Sequence, residues 1–282
     1  GLTIQDTVVG GAGTDTIVLD GGAVAMTLGA SEWTNLSGVD VLRLAGQTGG
    51  SFSVRVTNQL VDQTDAGNRL TIINNDGLLG TNNELVATVD LRALSASNHV
   101  TFVGANGNVS GAVRSAQTVI LNDVTANGSN ILNGGDGNVT DTVGWAQAAD
   151  GNNNVLQVFN NSEVTIGDLA NTSNFQTIQF INDQAVAQTL NLTLNNAIVD
   201  ALVDSSHTAT TTEVETLTID ASSTVPMGGS GLNAILNLQA SSLGAQFALN
   251  VTGGGGNDTI NGGAGNDTIN GGAGNDTING GA

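Results

Sequence analysis

Residues 253–282 read GGGGNDTIN (253–261), GGAGNDTIN (262–270), GGAGNDTIN (271–279) and then Gly280-Gly281-Ala282, so a nine-residue unit recurs without slippage. Self-similarity at a fixed period marks a solenoid, in which a unit stacks on its neighbours and none buries a core alone. In a GGxGxDxUx unit the first six residues form a tight turn and the last three a short strand with U pointing inward. Here U is Ile260, Ile269 and Ile278. The other end repeats the frame: GGAGTDTIV fills 10–18 and GLTIQDTVV fits 1–9, with Ile17 and Val8 at the inward position. A flexible Gly/Asn-rich tail would need no aliphatic residue every nine positions.

The turns carry an oxygen-rich chemistry. Gly253, Gly254 and Gly256, with their counterparts Gly262, Gly263, Gly265, Gly271, Gly272, Gly274, Gly10, Gly11 and Gly13, permit close backbone approach and leave carbonyl oxygens in the gap between stacked turns. The sixth position adds a carboxylate from Asp258, Asp267, Asp276, Asp15 or Asp6. Calcium takes six to eight oxygen ligands at about 2.3–2.6 Å, and such a gap suits it, whereas magnesium demands a stricter octahedron. Consecutive nonapeptides turn in alternate directions, so partners lie eighteen residues apart: the turn ending at Asp258 is expected against that ending at Asp276, and the turn ending at Asp267 against Gly280-Gly281-Ala282. About two carboxyl-terminal calcium ions follow, the second with fewer ligands. At the start, the turn ending at Asp6 is expected to pair with 19–23, near Asp20, while Asp15 needs a later, irregular partner. A relaxed cousin, GGDGNVTDTV at 134–143, inserts two residues before Asp141.

Composition agrees. The 282 residues are 39% hydrophobic, enough for a core. Only 11% are charged, yet 25 are acidic and 5 basic, all five Arg. A formal charge of -20 repels nucleic acid and anionic membrane surfaces and calls for cations. No cysteine is present, and no apolar run reaches the roughly 18 residues of a spanning helix. Forty Gly, one Pro and abundant Asn, Thr and Val describe short strands joined by tight turns.

Between the repeats, aliphatic-polar alternation recurs in VDVLRLAG (39–46), QTVILND (117–123), QTIQFIND (176–183) and VETLTIDASS (214–223), each expected as a strand. Asn106-Gly107, Asn127-Gly128 and Asp150-Gly151-Asn152 mark turns between them. NNAIVDALVD (195–204) has helical spacing, and Ala30 to Leu36 suits a short helical turn. The expected fold is all-β, an elongated parallel β-helix or β-roll with irregular middle coils. Its parts are a calcium-binding coil over 1–23, a β-solenoid body over 24–252 and a nonapeptide β-roll over 253–282 that continues past the last residue. Coils of roughly 18–25 residues would give a rod about 55–75 Å long.

The repeated GGAGNDTIN resembles the RTX (hemolysin-type) calcium-binding nonapeptide repeats. That resemblance implies export by type I secretion, folding on meeting external calcium, and an extracellular or cell-surface location. The stretch 10–46, a nonapeptide turn, a spacer and then SGVDVLRLAG, resembles a unit of bacterial surface-layer proteins and large adhesins.

Catalytic motifs are missing. His99 and His207 sit in no HExxH, and Gly228-Gly229-Ser230-Gly231-Leu232 lacks the last Gly of GxSxG. The carboxylate pairs Glu213/Glu215 and Asp200/Asp204 read as one strand face and one solvated helix side, and Trp33 and Trp145 as core or coil-cap residues. The expectation is therefore a structural protein and not an enzyme. Its partners are calcium and further copies of itself in a homo-oligomeric array, with cell-surface polysaccharide as a further candidate, and without nucleic acid or membrane insertion. The alternative is a stalk or ligand-binding region of a secreted adhesin.

Overall fold

A computed structural model of the chain describes residues 6–22, 24–45, 50–64, 67–74, 86–95, 97–104, 118–121, 131–133, 154–159, 162–164, 168–182, 186–203, 214–223 and 234–282. Alternation of aliphatic and polar residues gives a strand one inward and one outward face. The chain stacks such strands into parallel ladders. The longest holds nine: Ala25–Leu28, Ser51–Thr57, Val86–Ala93, Thr118–Leu121, Val155–Phe159, Thr177–Ile181, Glu215–Ser223, Phe247–Thr252 and Thr268–Asn270. A second holds Thr16–Asp20, Val41–Ala45, Arg69–Asn74, His99–Val103, Ile131–Asn133 and Thr172–Ser173. A third holds Ser162–Val164, Gln188–Thr193, Ala234–Gln239, Thr259–Asn261 and Thr277–Asn279, and Val8–Val9 pairs with Leu36–Ser37. The chain alternates between the longest ladder and the second in its first half, and between the longest and the third in its last. This is a parallel β-helix, as the alternating segments imply.

One inward column runs the length of the longest ladder: Leu28, Val54, Val89, Val119, Leu156, Ile178, Ile219, Val251 and Ile269, each beside the next. The first eight are buried and Ile269 partly so. Leu42, Ile72 and Phe102 form a like column in the second ladder, and Leu238 and Ile260 in the third. Each fully buried aliphatic side chain contributes about 1.5–3 kcal/mol, which makes these columns the main stabilising element of the body.

Column spacing also measures the coils. Successive steps are 26 residues (Leu28 to Val54), 35 (to Val89), 30 (to Val119), 37 (to Leu156), 22 (to Ile178), 41 (to Ile219), 32 (to Val251) and 18 (to Ile269). Most exceed the 18–25 expected, because the sequence between successive strands is longer than the six-residue turn of the nonapeptide. Nine strands at about 4.8 Å therefore span about 38 Å, shorter than the rod inferred from sequence.

All four predicted strands form, as Val41–Ala45, Thr118–Leu121, Thr177–Ile181 and Glu215–Ser223. The predicted helix forms as Asn196–Val203, started by Asn195, whose Oδ1 accepts the Ile198 N–H at 2.9 Å, with Ile198, Val199, Leu202 and Val203 buried. Residues 30–35 make turns, not a helix, and bury Trp33, whose Nε1–H donates to the Arg55 carbonyl at 2.8 Å. A second short helix, Asn58–Asp62, was not expected. The turn signals at 106–107, 127–128 and 150–152, the relaxed repeat at 134–143, Trp145, His207, Glu213 and the 228–232 segment lie outside the described residues. Among the described residues no helix is long and apolar enough to cross a membrane.

Candidate calcium sites between stacked turns

The nonapeptides place their strands on alternate ladders. Thr259, Ile260 and Asn261 lie beside Thr277, Ile278 and Asn279 in the third ladder, while Thr268, Ile269 and Asn270 lie beside Asn250, Val251 and Thr252 in the longest. Two units make one coil, and like turns stack eighteen residues apart. The inward Ile is fully buried at 260, partly buried at 269 and 47% exposed at 278 on the outermost described coil.

Each repeat aspartate ties its own turn to the coil before it. Asp258 Oδ1 accepts the Leu236 N–H at 2.7 Å and Oδ2 accepts the Gly254 N–H at 2.8 Å. Asp267 does the same with Leu249 and Gly263, both at 2.9 Å. Asp276 Oδ1 accepts the N–H of Asp258 at 3.0 Å, and the Asp258 carbonyl accepts the Thr277 N–H at 2.8 Å. The two turns ending at Asp258 and Asp276 are thus in contact, as their spacing predicts.

Glycines line the gap because nothing larger fits. A methyl group on Gly253 would run into the Gly271 carbonyl oxygen and Asp258 Oδ2, and one on Gly272 into the Gly254 carbonyl. Gly272 also has φ of 88°, a left-handed backbone that disfavours side chains. In the neighbouring gap a methyl on Gly262 would meet Asp267 Oδ2 and the Gly280 carbonyl, and Gly281 packs on the Gly263 carbonyl. Carbonyl and carboxylate oxygens of adjacent turns therefore converge, with two aspartates in the first gap and one in the second.

Among the described residues no three His, Cys, Asp or Glu gather in one place. An ion held here depends on backbone carbonyls with one or two carboxylates, an all-oxygen set that fits calcium and not zinc. Asp258 is the most constrained donor. Burial pushes its carboxyl above the ordinary carboxylate range, the N–H bonds from Leu236 and Gly254 pull it back, and the nearby charge of Asp276 adds to the rise. A carboxyl whose folded pKa is raised contributes stability that is fully present below its unfolded pKa and is lost as pH rises through the folded value. Without calcium, the coil around Asp258 is expected to grow more stable as pH falls through that window. With saturating calcium the ionised form is the one bound, so acidification is expected to weaken the coil. Melting curves across pH, with calcium and with chelator, should therefore slope in opposite senses.

At the amino-terminal end Gly11 and Gly13 have φ of 100° and 114°, close to the 88° and 117° of Gly272 and Gly274, so the turn 10–15 has the same form. The turn ending at Asp6 was expected against 19–23, but the strand that follows it pairs elsewhere, and residues 1–5 lie outside the described residues. Val8 and Val9 pair with Leu36 and Ser37, not with 19–23, and Leu19 and Asp20 pair with Leu44 and Ala45. Asp6 and Asp20 line one cavity with Thr7, Val8, Ile17 and Met26, and Asp20 Oδ1 accepts the Gly22 N–H. Asp15 finds its later partner at Asp40, whose Oδ2 accepts the Asp15 N–H at 3.0 Å while the Asp15 carbonyl accepts the Asp40 and Val41 N–H groups. Sequence spacing did not reveal Asp40, because a single residue, Val39, separates it from Gly38, where the nonapeptide places four between Gly271 and Asp276.

A parallel β-helix closed by glycine and aspartate turns of this kind is a calcium-binding β-roll at its ends. The family model of the RTX calcium-binding nonapeptide repeat matches residues 5–23 and 252–282, in four copies. These two segments therefore carry RTX nonapeptide repeats, and repeats of this kind bind calcium ions. No curated protein and no solved structure matches the chain.

Proposed function

We propose that the chain is a calcium-stiffened structural element of a bacterial surface, exported by type I secretion and assembling with copies of itself into an extracellular layer or filament. One observation carries this reading: the longest ladder runs unbroken from Ala25–Leu28 to Thr268–Asn270, so ions held in the last coils extend the same rod that the apolar body begins. The parts in this reading are an amino-terminal coil over 1–23, the body over 24–252 and the β-roll over 253–282. With a charge of -20, separate copies repel one another until calcium neutralises the carboxylates, which makes the ion a switch for assembly as well as for folding. Cytosolic calcium is scarce, so both events belong outside the cell. Surface polysaccharide is the natural anchor for such a layer, and the chain itself does no catalysis.

Light scattering and electron microscopy of the purified chain, with calcium and with chelator, test the proposal. Regular sheets or filaments that form with calcium and dissolve with chelator are expected. A calcium-loaded chain that remains monomeric would sink the array and favour an adhesin stalk.

A further inference from the structure

We infer that the turn Leu36 to Asp40, outside the nonapeptide repeats, completes a calcium site with the turn Gly10 to Asp15, Asp15 and Asp40 each supplying a carboxylate. The gap has the same cradle as the carboxyl-terminal ones. A methyl on Gly10 would meet the Gly38 carbonyl oxygen and, at 2.7 Å, Asp15 Cβ, just as one on Gly253 would meet the Gly271 carbonyl and Asp258. The Gly10 N–H donates to the Ser37 carbonyl at 2.9 Å, as Gly253 does to Asn270 at 2.8 Å. One feature differs. Asp258 and Asp267 each spend a second carboxylate oxygen on a glycine N–H of their own turn, whereas Asp15 Oδ2 is buried and has no hydrogen-bond partner.

The chain contains its own control. Residues 171–180, NTSNFQTIQF, repeat the path of 35–44, NLSGVDVLRL. Asn174 (φ 58°) stands at the place of Gly38 (φ 63°), Gln176 at that of Asp40, and Asn154 in the coil before at that of Asp15. Gln176 Oε1 accepts the Asn154 N–H at 3.0 Å, matching Asp40 Oδ2 and the Asp15 N–H. The Thr177 N–H donates to the Asn154 carbonyl at 3.1 Å, matching Val41 and Asp15. At the critical point the chemistry diverges. Asn154 Nδ2–H donates to the Asn174 carbonyl at 2.8 Å, so an amide donor satisfies the acceptor across the gap. In the amino-terminal copy both groups at that point are acceptors, the Asp15 carboxylate and the Gly38 carbonyl. With a carboxylate at the place of the Asn154 amide, the Gly38 carbonyl at that of the Asn174 carbonyl and a second carboxylate in Asp40 at 4% exposure, the amino-terminal copy suits a cation where the amide copy needs none. The shorter turn offers fewer carbonyls than 271–276, so water completes the shell and the affinity falls below that of the carboxyl-terminal sites.

Two experiments on the full chain test this. Hydrogen exchange of the wild type, with calcium and with chelator, should show calcium-dependent protection over 10–15 and 36–41 as well as over 253–276. Protection confined to 253–276 would overturn the inference while leaving calcium binding by the repeats intact; none in either region would remove the calcium reading altogether. Equilibrium dialysis should then show that Asp40→Asn, and the double variant Asp15→Asn/Asp40→Gln built on the amide copy, each bind one calcium fewer per chain. Folded variants that bind the wild-type number would refute the site.

Discussion

Chelating calcium from the purified chain is expected to unfold the coils of 253–282 while the body over 24–252 keeps its β-structure. The asymmetry follows from what each part buries. The body is filled by columns of buried Leu, Val, Ile and Phe, whereas the last coils offer one inward Ile per turn, and of these only Ile260 is fully buried. Extracellular calcium modules bind with Kd of about 0.1–1 mM. At about 1 mM calcium the tighter limit stabilises each site by about 1.4 kcal/mol, from RT ln(1 + [L]/Kd). Two sites thus add about 3 kcal/mol to a segment with little else to hold it. Hydrogen exchange followed by mass spectrometry would see the loss as deprotection of the carboxyl-terminal peptides and of the turn pair 10–15 and 36–41, with the buried columns of the body still protected. Uniform deprotection of the whole chain would mean that the body also depends on the ion.

The second large effect should come from Asp258→Ala. Asp258 is buried at 1% exposure and accepts two backbone N–H groups, from Leu236 in the coil before and Gly254 in its own turn. Removing the carboxylate leaves both donors buried without partners, at about 1–3 kcal/mol each, so a loss of roughly 2–6 kcal/mol is expected in addition to the lost ion. Asp276→Ala frees one donor, the Asp258 N–H, and should cost about half as much. Denaturant titrations in calcium and in chelator separate the contributions. The cost of Asp258→Ala should largely vanish in chelator, where the coil that holds Asp258 is already open. Equal costs in both conditions would show that Asp258 serves only as a backbone clamp.

The repeat coils could be read from the sequence because their geometry is written at fixed spacing: nine residues to a turn and strand, two units to a coil, Asp258 against Asp276. The same holds for strands such as Thr177–Ile181, where alternation is local to five residues. What escaped was everything that depends on which coil lies next to which. The partner of Asp15 is 25 residues away across a spacer, in a turn three residues shorter than the nonapeptide, so no period points to Asp40. The five-residue helix Asn58–Asp62 escaped for another reason: it is too short to show a period, and burial of Leu60 and Val61 rather than intrinsic preference holds it. The kinship of 35–44 with 171–180 was present in the letters as a shared Asn-x-Ser before an alternating strand. It gains meaning only when Gln176 and Asp40 are seen to accept equivalent backbone N–H groups.

The fall in coil length from 41 residues at Ile178–Ile219 to 18 at Val251–Ile269 has a kinetic side. Closing a loop costs entropy that grows with its length, and chains whose contacts join distant residues fold slowly. The wide middle coils are therefore the slow step, since each must bring together strands separated by 22–41 residues before their apolar column rewards the closure. Once Ala234–Gln239 and Phe247–Thr252 are in place, their free edges are finished templates: Thr259–Asn261 docks on the first after 22 residues, and Thr268–Asn270 and Thr277–Asn279 each dock eighteen residues after their partners. The carboxyl-terminal coils should then close like a zipper, quickly and in order from the body outward. Calcium concentration would set the pace of this last stage and of the docking of 10–15 on 36–40, leaving the slow closure of the middle coils untouched.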